Sequence, residues 1–356
     1  MKFELSDEQE LLQQTIRSFL EAECPVTRLR EICDGDEPFD PSLWKGMVEI
    51  GLGGIQVEEQ YGGVGLEAFD LAVAAEVLGY AAAPGPFLGH SLAAAAIGLA
   101  GSEAQRERWL PALAAGELLG TVALAEESGW QPGDWTFPGG SSLSGCKRHV
   151  PYGEVADLIV VGTEGGGLAV VEGRGAVAAE PYEGADRTRR LAELTFESAA
   201  AEELAGGADA SARVRDLALI LLAADAFGGA SRCVEMAVAY AQSREQFGVT
   251  IGHFQALKHQ LANLAVDVEP ARALYWYAAH AYDHLPDEAP RTAALAKAHL
   301  TDRFMHAARD TVEVHGGYGF TWECEVQIWF KRAMFDRAFL GTPSVHRERA
   351  AEIASW

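Results

Sequence analysis

Apolar residues recur at helical spacing through the first third of the chain, break into short runs in the middle, and return to helical spacing towards the end. Ser6 followed by Gln9 is a capping-box pattern, and Leu12, Ile16, Phe19 and Leu20 then share one helical face, predicting an opening helix. Pro41 suits a first helical turn, so a second helix is predicted over residues 41–51. After the glycine-rich loop at residues 60–65, three more helical stretches follow at 71–78, 88–99 and 103–113, divided by Gly and Pro. Between residues 119 and 207 glycines multiply and β-prone runs appear at 120–125, 158–161, 168–171 and 194–196. Helical patterning resumes at residue 208. Residues 213–244 suit one extended helix, and 256–282, 291–316 and 326–339 complete a four-helix bundle. The pattern predicts an α+β chain of three domains: N-terminal α-helical (1–118), middle β-barrel or sandwich (119–207) and C-terminal four-helix bundle (208–356).

Charge narrows the partners. With 28 basic against 52 acidic residues the formal charge is −24, which argues against nucleic acid, whose backbone demands a concentrated basic surface. Anionic small molecules stay open, because they need only a few placed arginines or helix N-termini. The five cysteines are scattered with no CxxC pair, which predicts reduced thiols and a cytoplasmic protein, and no metal-ligand set is assigned. The opening residues Met1-Lys2-Phe3-Glu4-Leu5 lead into an acidic helix without signal-peptide character. The longest apolar run, at residues 217–224, is too short to cross a membrane, so no membrane partner is expected.

Chemistry concentrates in Ser243-Arg244-Glu245-Gln246-Phe247-Gly248, in Ile251-Gly252-His253-Phe254-Gln255 and in Val314-His315-Gly316-Gly317-Tyr318-Gly319. Alone, the first would read as a helix end with a glycine cap and the last as a turn. Together and in this order they resemble the C-terminal domain of acyl-CoA dehydrogenases. Gly51-Leu52-Gly53-Gly54-Ile55 and Tyr61-Gly62-Gly63-Val64-Gly65 resemble the same family's first-domain loops. Ala83-Pro84-Gly85-Pro86-Phe87-Leu88 is similar to a subgroup, the small subunits of heteromeric dehydrogenases acting on steroid side chains or dicarboxylic acyl-CoAs.

The resemblance implies FAD and a set of contacts to it. Arg244 of the Arg-x-x-Phe-Gly loop would cross a subunit boundary to the pyrophosphate of a neighbour's FAD, a task that suits a guanidinium. Gln246 accompanies it, Phe247 would pack on the cofactor where the backbone turns at Gly248, and Gln255 would lie near the adenine. Gly316 and Gly317 would let the backbone approach the dinucleotide, while Glu313 stands where the family commonly has Gln.

The resemblance also implies a base, and it is absent. The family removes the α-proton of an acyl-CoA with the Glu of a Tyr-Glu-Gly-Thr stretch; here the stretch reads Phe339-Leu340-Gly341-Thr342, so Leu340 fills the place. In the minority arrangement the base falls on Ala218, also blank. Asp225 shares a helix face with Ala218 but lies about 10 Å further along, and Asp216 points to another face; both read more readily as solvated or ion-paired. The middle domain departs too. Ala123-Leu124-Ala125-Glu126-Glu127-Ser128-Gly129 keeps only Glu126 of a Thr-Glu-Pro…Gly-Ser pattern, and Lys147-Arg148-His149-Val150-Pro151 replaces the Trp and Thr of Lys-x-Trp-Ile-Thr.

Three arrangements follow. The favoured one is a subunit of an α2β2 acyl-CoA dehydrogenase, inactive alone, whose paralogous α subunit brings the Glu and the flavin cradle. The second is a self-sufficient homotetramer using Asp225 or Asp216, and the third a scaffold that touches no cofactor. The substrate implied by the subgroup is a bulky, steroid-derived acyl-CoA, and Arg215 is a candidate for a CoA phosphate or a charge pair.

Overall fold

The computed structural model describes residues 4–127, 129–173 and 177–356. Ser128, quoted above in the Glu126 stretch, and the first three residues lie outside the described set. Six helices open the chain: α1 (Asp7–Glu23), α2 (Val26–Asp34), α3 (Pro41–Glu49), α4 (Ala68–Tyr80), α5 (Phe87–Ala100) and α6 (Glu103–Ala114). The expected cap on α1 is present, with Ser6 and Gln9 exchanging backbone and side-chain hydrogen bonds. Strands follow: β1 (Gly120–Ala123), β2 (Ser142–Pro151), β3 (Leu158–Thr163), β4 (Gly167–Glu172), β5 (Val177–Pro181), β6 (Leu191–Ala200) and β7 (Glu202–Leu204). The remainder is α7 (Gly207–Ser243), a small hairpin of β8 (Glu245–Gln246) and β9 (Val249–Thr250), then α8 (Gln255–Val268), α9 (Arg272–His284), α10 (Ala289–His315), α11 (Val326–Ala338) and α12 (Pro343–Ile353).

Several predicted elements need correction. Residues 256–282 are not one helix. Pro270 lacks the N–H an uninterrupted helix requires, and a 3-10 turn at Glu269–Ala271 separates α8 from α9. Helices α2 and α12, and strands β2, β5, β7, β8 and β9, were not foreseen; the longest of these strands, β2, alternates poorly because register shifts interrupt its pairing with β6. The apolar run at 217–224 belongs to the 37-residue α7, which by length and composition could cross a membrane. Its apolar window is 83% buried inside the protein, as in a core helix.

The chain forms two compact units. One comprises Glu23–Leu71 and Pro84–Ala218 and contains the two larger sheets. Its four-stranded sheet has the order β1-β3-β4-β7, with β1–β3 parallel and the other pairs antiparallel. Its three-stranded sheet β2-β6-β5 is antiparallel. Inward residues of the two, among them Ile159, Val161, Leu143, Val150, Leu194 and Phe196, share one hydrophobic cluster, the core of a sandwich. Fully buried His90 joins α5 to this unit's loops, with Nε2 donating to Gly53 O at 3.0 Å and Nδ1 accepting from Gly120 N at 3.2 Å. Burial holds it far below the ordinary imidazole value, at about 4, so it stays neutral.

The other unit comprises the chain up to Ala22, Ala72–Ala83 and Leu219–Trp356, and it is helical apart from the β8–β9 hairpin. Its α7 approaches the α4 residues backbone to backbone: a Cβ on Gly228 would lie 1.9 Å from Glu76 O. Only glycine permits that approach. Across the same unit, buried Arg332 of α11 holds Asp225 of α7 with two hydrogen bonds at 2.9 and 3.0 Å and donates a third to Ala83 O at 2.9 Å.

Candidate functional site

The end of α7 and the end of α10 meet at a cavity of about 810 Å³. Arg244, Gln246, Gly316 and Gly317 line it together with Tyr240 and His315. Helix α7 stops at Ser243, and the chain turns at once into the β8–β9 hairpin, fixed by Arg244 N donating to Tyr240 O and Ile251 N to Arg244 O, both at 2.8 Å. The two turn residues, Phe247 and Gly248, have φ of +56° and +79°, the left-handed pair a two-residue hairpin of primed type requires. Glycine adopts that conformation freely; phenylalanine does so rarely. The ring gains little from the fold, being 93% exposed with only an edge contact to Phe254. A strained, exposed aromatic is one mark of a residue shaped for something outside the chain.

On the other wall, α10 ends at His315 and Gly316 takes φ +61°. A Cβ placed on Gly316 or Gly317 would meet nothing within 4 Å. Backbone is therefore laid bare to the cavity on this side, while Arg244 supplies an exposed guanidinium on the other. A cation facing bare backbone, with room for a large planar ligand, is a donor set suited to the diphosphate of a dinucleotide. The remaining predicted contacts lie elsewhere. Gln255 is the exposed first residue of α8, Phe247 projects from the hairpin, and Glu313 is exposed on the last turn of α10, where its carbonyl caps Gly316 N–H. None of these three lines the cavity. Conversely, Tyr240 and His315 line it and were not chosen from sequence, although His315 stands beside the diglycine that was.

Neither position expected from the resemblance to hold a base carries one. Leu340 is 2% exposed with φ +59°, and its carbonyl accepts from His346 Nε2 at 3.1 Å. The turn is held from beneath by fully buried Lys297, which donates to Asp336 O, to Gly341 O at 3.4 Å and to Arg337 O at 3.5 Å. The Asp336 and Arg337 carbonyls end α11, where a cation is favoured, yet burial pulls the amine down to about 7. Ala218 is fully buried. Of the two aspartates, Asp225 is the counter-ion of Arg332, and Asp216 accepts from Arg215 Nε at 3.1 Å. Arg215 thus has a charge partner, with Gln131 Oε1 at 3.5 Å from its Nη1.

In the sheet-bearing unit, Glu126 is committed to the fold. It accepts from Lys147 Nζ at 2.5 Å, from Thr136 N and Oγ1 at 2.8 and 2.7 Å, and from Phe137 N at 3.2 Å. Burial opposes its charge, but the bonds from Lys147 and Thr136 outweigh it and hold the carboxyl below its usual range. Lys147 is itself pulled down to about 8 by burial. Next to this pair His149, at φ +54°, stacks on Trp130 at 5.2 Å and packs near Tyr182 at 5.4 Å. Pro151 has no N–H, and its carbonyl is taken by Thr121 Oγ1 at 2.5 Å. The strand segment that the resemblance places near a flavin thus has no backbone donor at Pro151.

Comparison with known proteins identifies a family. Residues 6–117 match the family model described as acyl-CoA dehydrogenase, N-terminal domain, and residues 216–354 match that of the C-terminal domain. The acyl-CoA dehydrogenase IpdE2 of Mycolicibacterium smegmatis is 33% identical over 340 residues, 95% of this chain and 96% of that one. Among solved structures, the steroid ACAD variant Tcur3481-Tcur3483 aligns with a TM-score of 0.89 at 30% identity, covering 98% of each chain. The ChsE4-ChsE5 complex of Mycobacterium tuberculosis aligns with a TM-score of 0.89 at 27% identity, covering 100% of this chain and 99% of the other.

Proposed function

This chain belongs to the acyl-CoA dehydrogenase family, and from that premise we propose that it is the base-less subunit of a heteromeric enzyme, lending FAD contacts to a paralogous partner. The observation that carries the proposal is a contrast within one molecule. The cavity bearing Arg244, Gln246, Gly316 and Gly317 is open and suited to a diphosphate, whereas the base position holds Leu340. Likeness to a steroid ACAD and to a two-protein complex supports both the heteromer and a bulky, steroid-derived acyl-CoA as substrate.

When bound, FAD accepts a hydride from the β-carbon of the thioester. This chain's contribution is to hold that cofactor. Arg244 neutralises diphosphate charge from an exposed position at the subunit surface, Gln246 is placed beside it, and Gly316 and Gly317 let the backbone approach. Phe247 and Gln255 would reach the cofactor from the hairpin and from the start of α8, and Glu313 from the last turn of α10. The α-proton finds no acceptor here: Leu340 and Ala218 are apolar, and Asp225 and Asp216 are held by arginines. A carboxylate from the partner must take it.

The test is acyl-CoA-dependent bleaching of flavin absorbance. The chain alone, supplied with free FAD, should show none, and the complex with its paralogue should bleach until the partner's catalytic Glu is replaced by Gln. Bleaching by the lone chain would refute the assignment.

A further inference from the structure

Three aromatic rings gather at His149 of β2, all within the sheet-bearing unit. The His149 imidazole lies against the Trp130 indole with centroids 5.2 Å apart and planes 16° from parallel, and the Tyr182 ring packs at 5.4 Å and 48°. At φ +54° His149 holds a conformation that residues with a Cβ seldom adopt. Trp130 reaches it from the loop between β1 and β2, and both ends of that loop are tied. At the near end Arg148 N of β2 donates to Ala125 O at 2.9 Å. At the far end the Glu126 carboxylate accepts from Thr136 N, Thr136 Oγ1 and Phe137 N, so one side chain draws the two ends together. Just past Trp130 the chain is braced again, with Gln131 N donating to Asp134 Oδ2 at 3.0 Å and Asp134 N to Gln131 O at 2.8 Å. Beside the stack Arg148 bridges the loop to β6, its Nη1 3.8 Å from Glu127 Oε1 and its Nε 3.3 Å from Glu193 Oε2.

The strand so covered is the one that the resemblance places near a flavin, and His149 stands at the Trp of the resembled pattern. Two features there disagree with a flavin: Pro151 has no N–H, and the ring face of His149 already carries an indole. We infer that Trp130 is a built-in occupant of this strand, taking the stacking surface that the strand would otherwise offer a flavin ring and keeping the chain's own sheet unit closed to one. A flat heteroaromatic ring competes for the same apolar face, so a flavin could stack there only by displacing the indole. Glu126, kept from the family pattern, then acts as a positioning residue that shapes the loop carrying Trp130. The inference rests on the function proposed above, in which one flavin serves each pair of unlike subunits, and adds the residue that bars a second.

The probe is lumiflavin, a flavin ring without ribityl chain, diphosphate or adenine, so its binding owes nothing to a diphosphate contact at Arg244. Its affinity for the full-length chain is measured by equilibrium dialysis. Trp130→Ala removes the occupant and should bind lumiflavin about ten-fold more tightly than the parent, the worth of one exchanged stacking contact. Trp130→Phe keeps a ring over His149 and should stay as closed as the parent. Equal affinities for all three chains, including no binding by any, would overturn the role of Trp130 and leave the lending of FAD contacts through Arg244 standing. Parent binding as tight as that of Trp130→Ala would overturn it without relying on how a variant folds. One FAD per subunit bound by the lone parent chain would overturn the proposed function and the inference together.

Discussion

Asp225→Asn separates a buried counter-ion from a relocated catalytic base. Asp225 is 4% exposed, and Arg332, whose side chain is fully buried, spends two hydrogen bonds on its carboxylate and one on Ala83 O. Removing the negative charge leaves a guanidinium in the interior without its counter-ion. Breaking a buried pair from one side costs about 3–5 kcal/mol. Asparagine is isosteric and its carbonyl still accepts one N–H, so the expected loss lies near the lower end, about 3 kcal/mol. With a urea slope of about 1–3 kcal/mol per molar, that lowers the unfolding midpoint by about one molar or more. Per folded molecule, turnover of the assembled complex should not change. Replacing both partners, Asp225→Leu with Arg332→Met, should recover much of the stability, since an apolar pair of similar volume is often no worse than an ion pair. The reasoning fails if Asp225→Asn leaves the midpoint in place while abolishing turnover, because the carboxylate would then serve chemistry and not the fold.

Three further outcomes are expected. Arg244→Ala should weaken FAD retention by the complex about 10–100-fold, as loss of one charge-assisted phosphate contact, with the unfolding midpoint unmoved because the side chain is exposed; flavin content equal to the parent would contradict this. Lys297 sits at about 7 in the fold against about 10.4 in an unfolded chain. Between those values the unfolded state binds more protons, so this residue makes stability rise with pH by roughly 1 kcal/mol per unit from about pH 7 to 10 and adds no slope below; the difference between the parent and Lys297→Met in urea unfolding at pH 7 and 9 should show it, and identical pH slopes would count against it. Leu340→Glu, expressed alone with FAD, should not turn over, because Pro151 offers no N–H and its carbonyl is bonded to Thr121; measurable acyl-CoA oxidation would show that the altered sheet segment matters less than argued.

The legibility of this chain in its sequence follows the range of the interactions involved. Long helices declared themselves by period, and the Ser6–Gln9 cap was local enough to read directly, whereas the residues around Phe247-Gly248 read alone as a capped helix end and form a hairpin turn instead. The break at Pro270 was readable too, from the missing donor. Strand β2 was hidden because Lys147, Arg148 and His149 serve a buried ion pair, surface charges and an aromatic stack in place of a simple alternation. The loss of the base at Leu340 needed only a residue identity. That Asp225 belongs to Arg332, 107 residues on, needed the fold. Tyr240 and His315 were missed for the same reason: no periodicity links two helix ends that meet only in space.

The most direct test of the central claim is the flavin content of the purified chain, alone and co-purified with its paralogous partner. The account predicts a colourless lone chain and a yellow complex with one FAD for each pair of unlike subunits. A lone chain that already carries one FAD per subunit would contradict it.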